Sequence, residues 1–137
     1  AAGPRGVCGW GRAALSAAAE VIVPRKLAGW RVDGVAGLRR RVAAMRCVKP
    51  GVRVAGALLT MWRNGPVGTE AEAVLRAGAV PVFATHIRRT DRVDESTFSR
   101  EPLYIYSPRS AACIDYRRFV IEYLEQEGRH SNGQGKV

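Results

Sequence analysis

"VRVAGALLT", residues 52–60, is apolar at nearly every position, with Arg53 near its start and Thr60 at its end. Hydrophobic residues that follow one another, rather than alternating with polar ones, mark a strand buried on both faces, as in a parallel sheet. Two further runs of the same kind lie on either side of it, "EVIVP" at 20–24 and "VPVFATHI" at 80–87. Between the first and second runs Val35, Leu38, Val42 and Met45 recur at helical spacing, so residues 32–48 are expected to form a helix ended by "KPG". Its polar face is assigned Arg39, Arg40, Arg41 and Arg46. Between the second and third runs Thr69 and Glu72 have capping-box spacing, and Gly78 closes a short helix containing Val74 and Leu75. Helices alternating with strands in this way specify an α/β fold, a parallel sheet with helices on both faces and right-handed crossovers.

The same logic extends to both ends. An Ala-rich stretch at 11–19 reads as a helix leading into the first strand. After the third strand comes a connection of about 20 residues, long enough to suggest a function. It contains "HIRRTDRVDESTFSREPLY" (86–104), in which four arginines alternate with four acids and are expected to pair locally in a loop. The last helix lies in "SPRSAACIDYRRFVIEYLEQEG", with Ser107 as cap, Pro108 in the first turn, and Cys113, Tyr116, Val120, Tyr123 and Leu124 as its buried face. Asp115, Glu122 and Glu125 are expected to face water. Residues 1–127 are read as one α/β unit and 128–137 as a disordered tail.

Charge narrows the partners. The chain of 137 residues carries 22 Lys and Arg against 12 Asp and Glu, a formal balance of +10. Residues 25–63 hold ten basic residues and one acid, Asp33, so this segment accounts for +9 of that total. An excess so localised is the footprint of a polyanion, nucleic acid above all. Three scattered cysteines, Cys8, Cys47 and Cys113, have neither metal-ligand nor redox spacing and imply a reducing, cytoplasmic setting. No Ser/His/Asp or Cys/His set emerges that would support an independent hydrolase. His86 has no carboxylate or cysteine at ligand spacing and reads as structural, and Trp62 as either base stacking or packing. The acidic "EYLEQE" near the end argues against a basic membrane anchor.

Four segments in order, "AALSAAAEVIVP", "GALLTMWRN", "HIRRTDRVDES" and "EPLYIYSPRSAACIDYRRF", resemble the C-terminal half of ParA-type ATPases, the deviant-Walker, SIMIBI-class proteins of chromosome, plasmid and integrative-element partition. The resemblance implies a P-loop NTPase-like sheet, ATP and Mg2+ as cofactors of the intact fold, and ATP-dependent homodimerisation. It also implies non-specific DNA binding, a ParB-like centromere-binding partner, and a cytoplasmic, nucleoid-associated location. Carried over by position, Thr60, Met61, Trp62 and Arg88 fall on the base side of the nucleotide, Arg88 standing where the family has proline. Arg92 falls on a DNA-binding position, and Arg39, Arg40, Arg41 and Arg63 join it as candidate DNA contacts on grounds of charge. The family's phosphate loop, "KGGxGKT", is not in this sequence, which is therefore expected to be an incomplete version of the fold, inactive in ATP hydrolysis by itself. The alternative expectation is a basic DNA-binding remnant that works without nucleotide.

Overall fold

The computed structural model describes residues 9–26 and 34–133. Its elements run α1 (Gly9–Ala17), β1 (Glu20–Lys26), α2 (Gly34–Val48), β2 (Arg53–Trp62), α3 (Pro66–Arg76), β3 (Val82–Arg88), α4 (Asp91–Ser99), α5 (Leu103–Tyr106) and α6 (Ala111–Gly133). The three strands form a parallel sheet in the order β1-β2-β3, with Glu20 opposite Arg53 and Ala57 opposite Val82. Because both crossovers have the same hand, α2 and α3 fall on one face. Leu38, Val42, Ala71 and Leu75 pack there on Val23, Ala57, Leu59 and Trp62. On the other face Leu58, Phe83 and Ile87 meet Ala112 and Phe119 of α6, with Val93 and Leu103 at the margin.

Strand β2 is central, so its residues are buried from both sides, as its unbroken apolar run requires. Gly56 sits on β2 beside Pro81 and Phe83 at the start of β3. A Cβ there would lie 3.2 Å from the Pro81 carbonyl oxygen and 3.1 Å from the Phe83 ring. The carbonyl is held in place, since Pro81 O also accepts the Ala57 amide at 2.7 Å. Gly56→Ala is therefore expected to cost about 1–3 kcal/mol through overpacking, read as a lower urea midpoint at unchanged slope.

Several expectations are corrected. The connection after β3 is helical: Thr90 caps α4 by accepting the Arg92 amide, Asp91 and Asp94 occupy its favourable first turn, and Arg100 closes it in the left-handed conformation. Helix α3 begins at Pro66 behind Gly65, and the Thr69 hydroxyl donates to Gly65 O, so no capping box forms. In α6 the cap is Ser110, whose Oγ accepts the Cys113 amide, while Ser107 ends α5. Helix α6 also continues to Gly133, so residues 128–133 are not a tail, and 134–137 lie outside the described residues.

The largest correction concerns which side of α6 is packed. Tyr116, Val120 and Leu124 are exposed, Leu124 by 60%, although Cys113 and Tyr123 of the same predicted face are packed as expected. The side turned to the sheet carries Ala112, Asp115, Phe119, Glu122 and Tyr123. Its carboxylates have a structural task. Glu122 accepts the amides of Ala84 (2.7 Å) and Thr85 (2.9 Å), and Asp115 accepts that of Arg88 (3.0 Å). From the other layer, Arg76 of α3 donates to the carbonyls of Val82 (3.1 Å) and Phe83 (3.0 Å). The outer margin of β3, a row of unpaired donors and acceptors in an ordinary edge strand, is thus sealed by side chains from both faces.

At the opposite corner Glu20 accepts hydrogen bonds from Arg53 (2.7 Å) and from the Tyr123 hydroxyl (2.9 Å). Arg53 also pairs with Glu127, so this cluster ties the starts of β1 and β2 to the far end of α6.

Candidate functional site

In open α/β sheets, ligands bind beyond the carboxyl ends of the strands. There β2 ends at Thr60, Met61 and Trp62 beside the end of β3, with Trp62 opposite Arg88, and the Arg89 amide donates to Trp62 O at 3.0 Å. The structure therefore brings together the four residues singled out for the base side, Thr60, Met61, Trp62 and Arg88. Thr60 donates to Arg25 O at 3.4 Å, joining the end of β1 to the same rim. Met61 has φ 56°, a left-handed value rare outside glycine, which turns the chain sharply at the strand end. Such strain persists only where its surroundings enforce it, and it gathers at ligand sites.

Next to this turn is a cleft of about 440 Å³ bordered by Trp62, Asn64, Thr85, His86, Arg88 and Arg118. Its walls are fixed by contacts that join residues far apart in sequence. The rings of Trp62 and His86 stack with centroids 4.0 Å apart and planes 9° from parallel. Trp62 donates its indole N–H to Asn64 Oδ1 at 3.1 Å and is only 9% exposed, so a base could stack on its occupied face only by displacing His86. His86 Nε2 lies 3.0 Å from Glu72, which also holds Arg76. His86 thus has a carboxylate partner after all, 14 positions earlier in sequence and on α3. Burial alone would raise the Glu72 carboxyl, but the hydrogen bond from Arg76 and the close approach of His86 overcome it and hold it below its ordinary value.

Arg88 is anchored rather than free. Its guanidinium makes a two-pronged contact with Asp115, Nε to Oδ2 at 2.8 Å and a terminal nitrogen to Oδ1 at 2.9 Å. Asp115 is 3% exposed. Burial pushes its carboxyl up, yet the side-chain and backbone hydrogen bonds from Arg88 prevail and leave it ionised below the usual range. This pair fixes the end of β3 to the start of α6 and forms the outer wall of the cleft. The expectation that Asp115 and Glu122 face water is thus overturned, because the edge of β3 needed acceptors that only α6 could bring.

The candidate DNA contacts do not form one surface. Arg63 and Arg92 are exposed at the carboxyl end of the sheet, Arg63 after β2 and Arg92 in the first turn of α4. Arg92 pairs with Glu95 at 2.7 Å, and Tyr106 donates to the same carboxylate at 3.0 Å. Those two hydrogen bonds hold Glu95 below its ordinary pKa, so a phosphate reaching Arg92 must compete with a preformed pair. Arg39, Arg40 and Arg41 are successive residues on α2 and so point about 100° apart. Arg39 turns with Arg46 to a groove at the far end of the sheet, whereas Arg41 lies close enough to Arg25 for the two charges to repel.

Comparison with known proteins adds the ancestry of this arrangement. Over 114 residues, 81% of its length, the chain is 32% identical to the chromosome-partitioning ATPase Soj of Thermus thermophilus. It belongs to the ParA-type ATPase family. An uncharacterized protein of Mycobacterium tuberculosis is 30% identical over 112 residues. The chain spans under half the length of these curated relatives, 46% of the first and 35% of the second. Among solved structures, cobyrinic acid a,c-diamide synthase from Mycobacterium smegmatis, crystallised with ADP and magnesium, superposes with a TM-score of 0.53 at 25% identity. That match covers 77% of this chain and 37% of the synthase. The ParA-type chain thus has the P-loop NTPase-like architecture that the resemblance implied. No family model matches it. No helix among the described residues is long and apolar enough to cross a membrane.

Proposed function

We propose that this chain supplies the base-side wall and part of the DNA-facing surface of a ParA-like ATPase that partitions a chromosome, plasmid or integrative element. The observation that carries the reading is the strained turn at Met61, set at the paired ends of β2 and β3 in a chain whose relative Soj is a chromosome-partitioning ATPase. The residues present fit the edge of a purine base. The chain at Thr60 and Met61 forms the rim, Asn64 offers an amide, and the Arg88–Asp115 pair closes the outer side. Bound ATP and Mg2+ would supply the energy for dimerisation and release. The phosphates would be held by residues outside this sequence, which has no Gly-rich loop followed by Lys and Ser/Thr.

In this reading the assembled homodimer binds DNA without sequence preference through Arg63, Arg92 and the arginines of α2, and a ParB-like centromere-binding protein stimulates release. It works in the cytoplasm, on the nucleoid. The concentration of +9 in residues 25–63 supports phosphate contacts that need no base recognition.

The test is fluorescence-anisotropy titration of the full chain with random-sequence duplex DNA. If four phosphates are contacted, affinity should fall about 100-fold between about 50 and 200 mM salt. Arg92→Ala and the triple replacement of Arg39, Arg40 and Arg41 by alanine should each weaken binding and flatten the salt slope. Unchanged binding in both variants would overturn the assigned surface. Binding that persists with no response to ATP and Mg2+ when the complete gene product is used would favour the nucleotide-independent remnant.

A further inference from the structure

At the amino ends of β2 and β3, away from the nucleotide side, α2 and the sheet leave a groove of about 720 Å³. Its floor is apolar, formed by Val42, Val52, Val54, Val80 and Pro81. Its rim is cationic. Arg39 and Arg46 stand on it with Val42 and Cys47 at helical spacing along one stripe of α2, and no carboxylate lines it. Arg53 also borders the groove but is committed to Glu20 and Glu127. Among the described residues Arg39 and Arg46 are in no ion pair.

An apolar trough under two uncommitted guanidinium groups suits a ligand that is apolar on one side and anionic on the other. DNA fits it poorly, since a duplex presents phosphates at its surface and has nothing to lay on a valine floor. Arg39 and Arg46 are seven residues apart on α2, about 10 Å along the axis. Carboxylates seven positions apart on a docked helix have the same spacing, and the residues between them present an apolar stripe of the kind that fills such grooves.

We propose that this groove is a docking site for an acidic amphipathic helix of a partner protein. Its apolar side chains cover Val42, Val52 and Val80, and its carboxylates pair with Arg39 and Arg46. The site is independent of the nucleotide assignment, because it lies at the opposite end of the sheet, and it shares Arg39 with the proposed DNA contacts, so the peptide and the duplex are tested against each other.

The experiment uses the full chain and a labelled synthetic peptide with leucines on one helical face and glutamates seven residues apart along the edge of that face. Binding should saturate, and it should weaken about tenfold in Arg39→Glu or Arg46→Glu. It should be unchanged in Arg92→Ala. Exposed Cys47 lies inside the groove, so its alkylation by iodoacetamide, followed by peptide mapping, should slow at least about fivefold in the wild-type chain when the peptide is bound. This readout needs no substitution and stands even if a variant folds badly. The proposal is overturned if a peptide with serines in place of leucines binds equally well, since charge alone would then suffice. It is also overturned if Arg92→Ala weakens binding as much as Arg46→Glu, or if random duplex rather than the peptide protects Cys47.

Discussion

Asp115→Ala is expected to destabilise the fold by about 3 kcal/mol, among the largest losses available from one polar side chain. The carboxylate is almost wholly buried and accepts three hydrogen bonds, all from Arg88, one through its backbone amide and two through its guanidinium. Removing it leaves an amide on the edge of β3 without an acceptor and a guanidinium without its counter-charge. Urea denaturation should show the loss as a lower midpoint. Asp115→Asn should fall between the two, since one acceptor oxygen survives. The same groups set an acid limit. Asp115 and Glu122 are both held below their ordinary pKa values, in each case because hydrogen bonds outweigh burial. A depressed folded-state pKa contributes stability that is complete above the unfolded value and disappears as pH falls through the folded one. Stability should therefore be flat from neutrality to about pH 5 and decline below about pH 4, and the decline should be shallower in Asp115→Asn.

Phe83→Ala should cost about 3–5 kcal/mol. Phe83 is 1% exposed and meets Phe119 edge-on with ring centroids 4.9 Å apart, so it joins the sheet to α6 through the apolar core. Its ring also occupies the space that a side chain at position 56 would enter. The two sites should therefore be coupled: Gly56→Ala, harmful in the native chain, should cost measurably less once Phe83 is alanine, because part of its clash has been removed. A double-mutant cycle reads this as a non-additive term of at least about 0.5 kcal/mol.

The strands were legible because burial on both faces leaves no room for polar residues, and an unbroken run such as "GALLT" fits few places other than the middle of a parallel sheet. That Thr60, Met61, Trp62 and Arg88 adjoin was legible because the resemblance placed all four at the ends of neighbouring strands, although the register shift between Thr60 and Trp62 was not. Helix α4 was not, although Thr90 and the acids Asp91 and Asp94 form an ordinary start signal. The arginines and acids that crowd the same stretch leave it too few apolar residues to display a helical period. Helix α6 posed a harder problem, because it has two candidate stripes. Tyr116, Val120 and Leu124 form the more apolar, while Ala112, Asp115, Phe119 and Glu122 form the one that is packed. Hydropathy favours the first, and only the unmet amides of β3, which no local pattern reveals, favour the second. The Trp62–His86 stack and the Glu72 contact likewise join residues on separate elements and leave no mark in spacing.

Sealing of β3 gives the sheet a direction. Glu122, Asp115 and Arg76 occupy the backbone groups by which another strand would join on that side. Among the described residues no strand pairs with the other side of β1. Within the described residues the sheet can therefore grow only past β1, so a further strand, whatever its source, has one place to join.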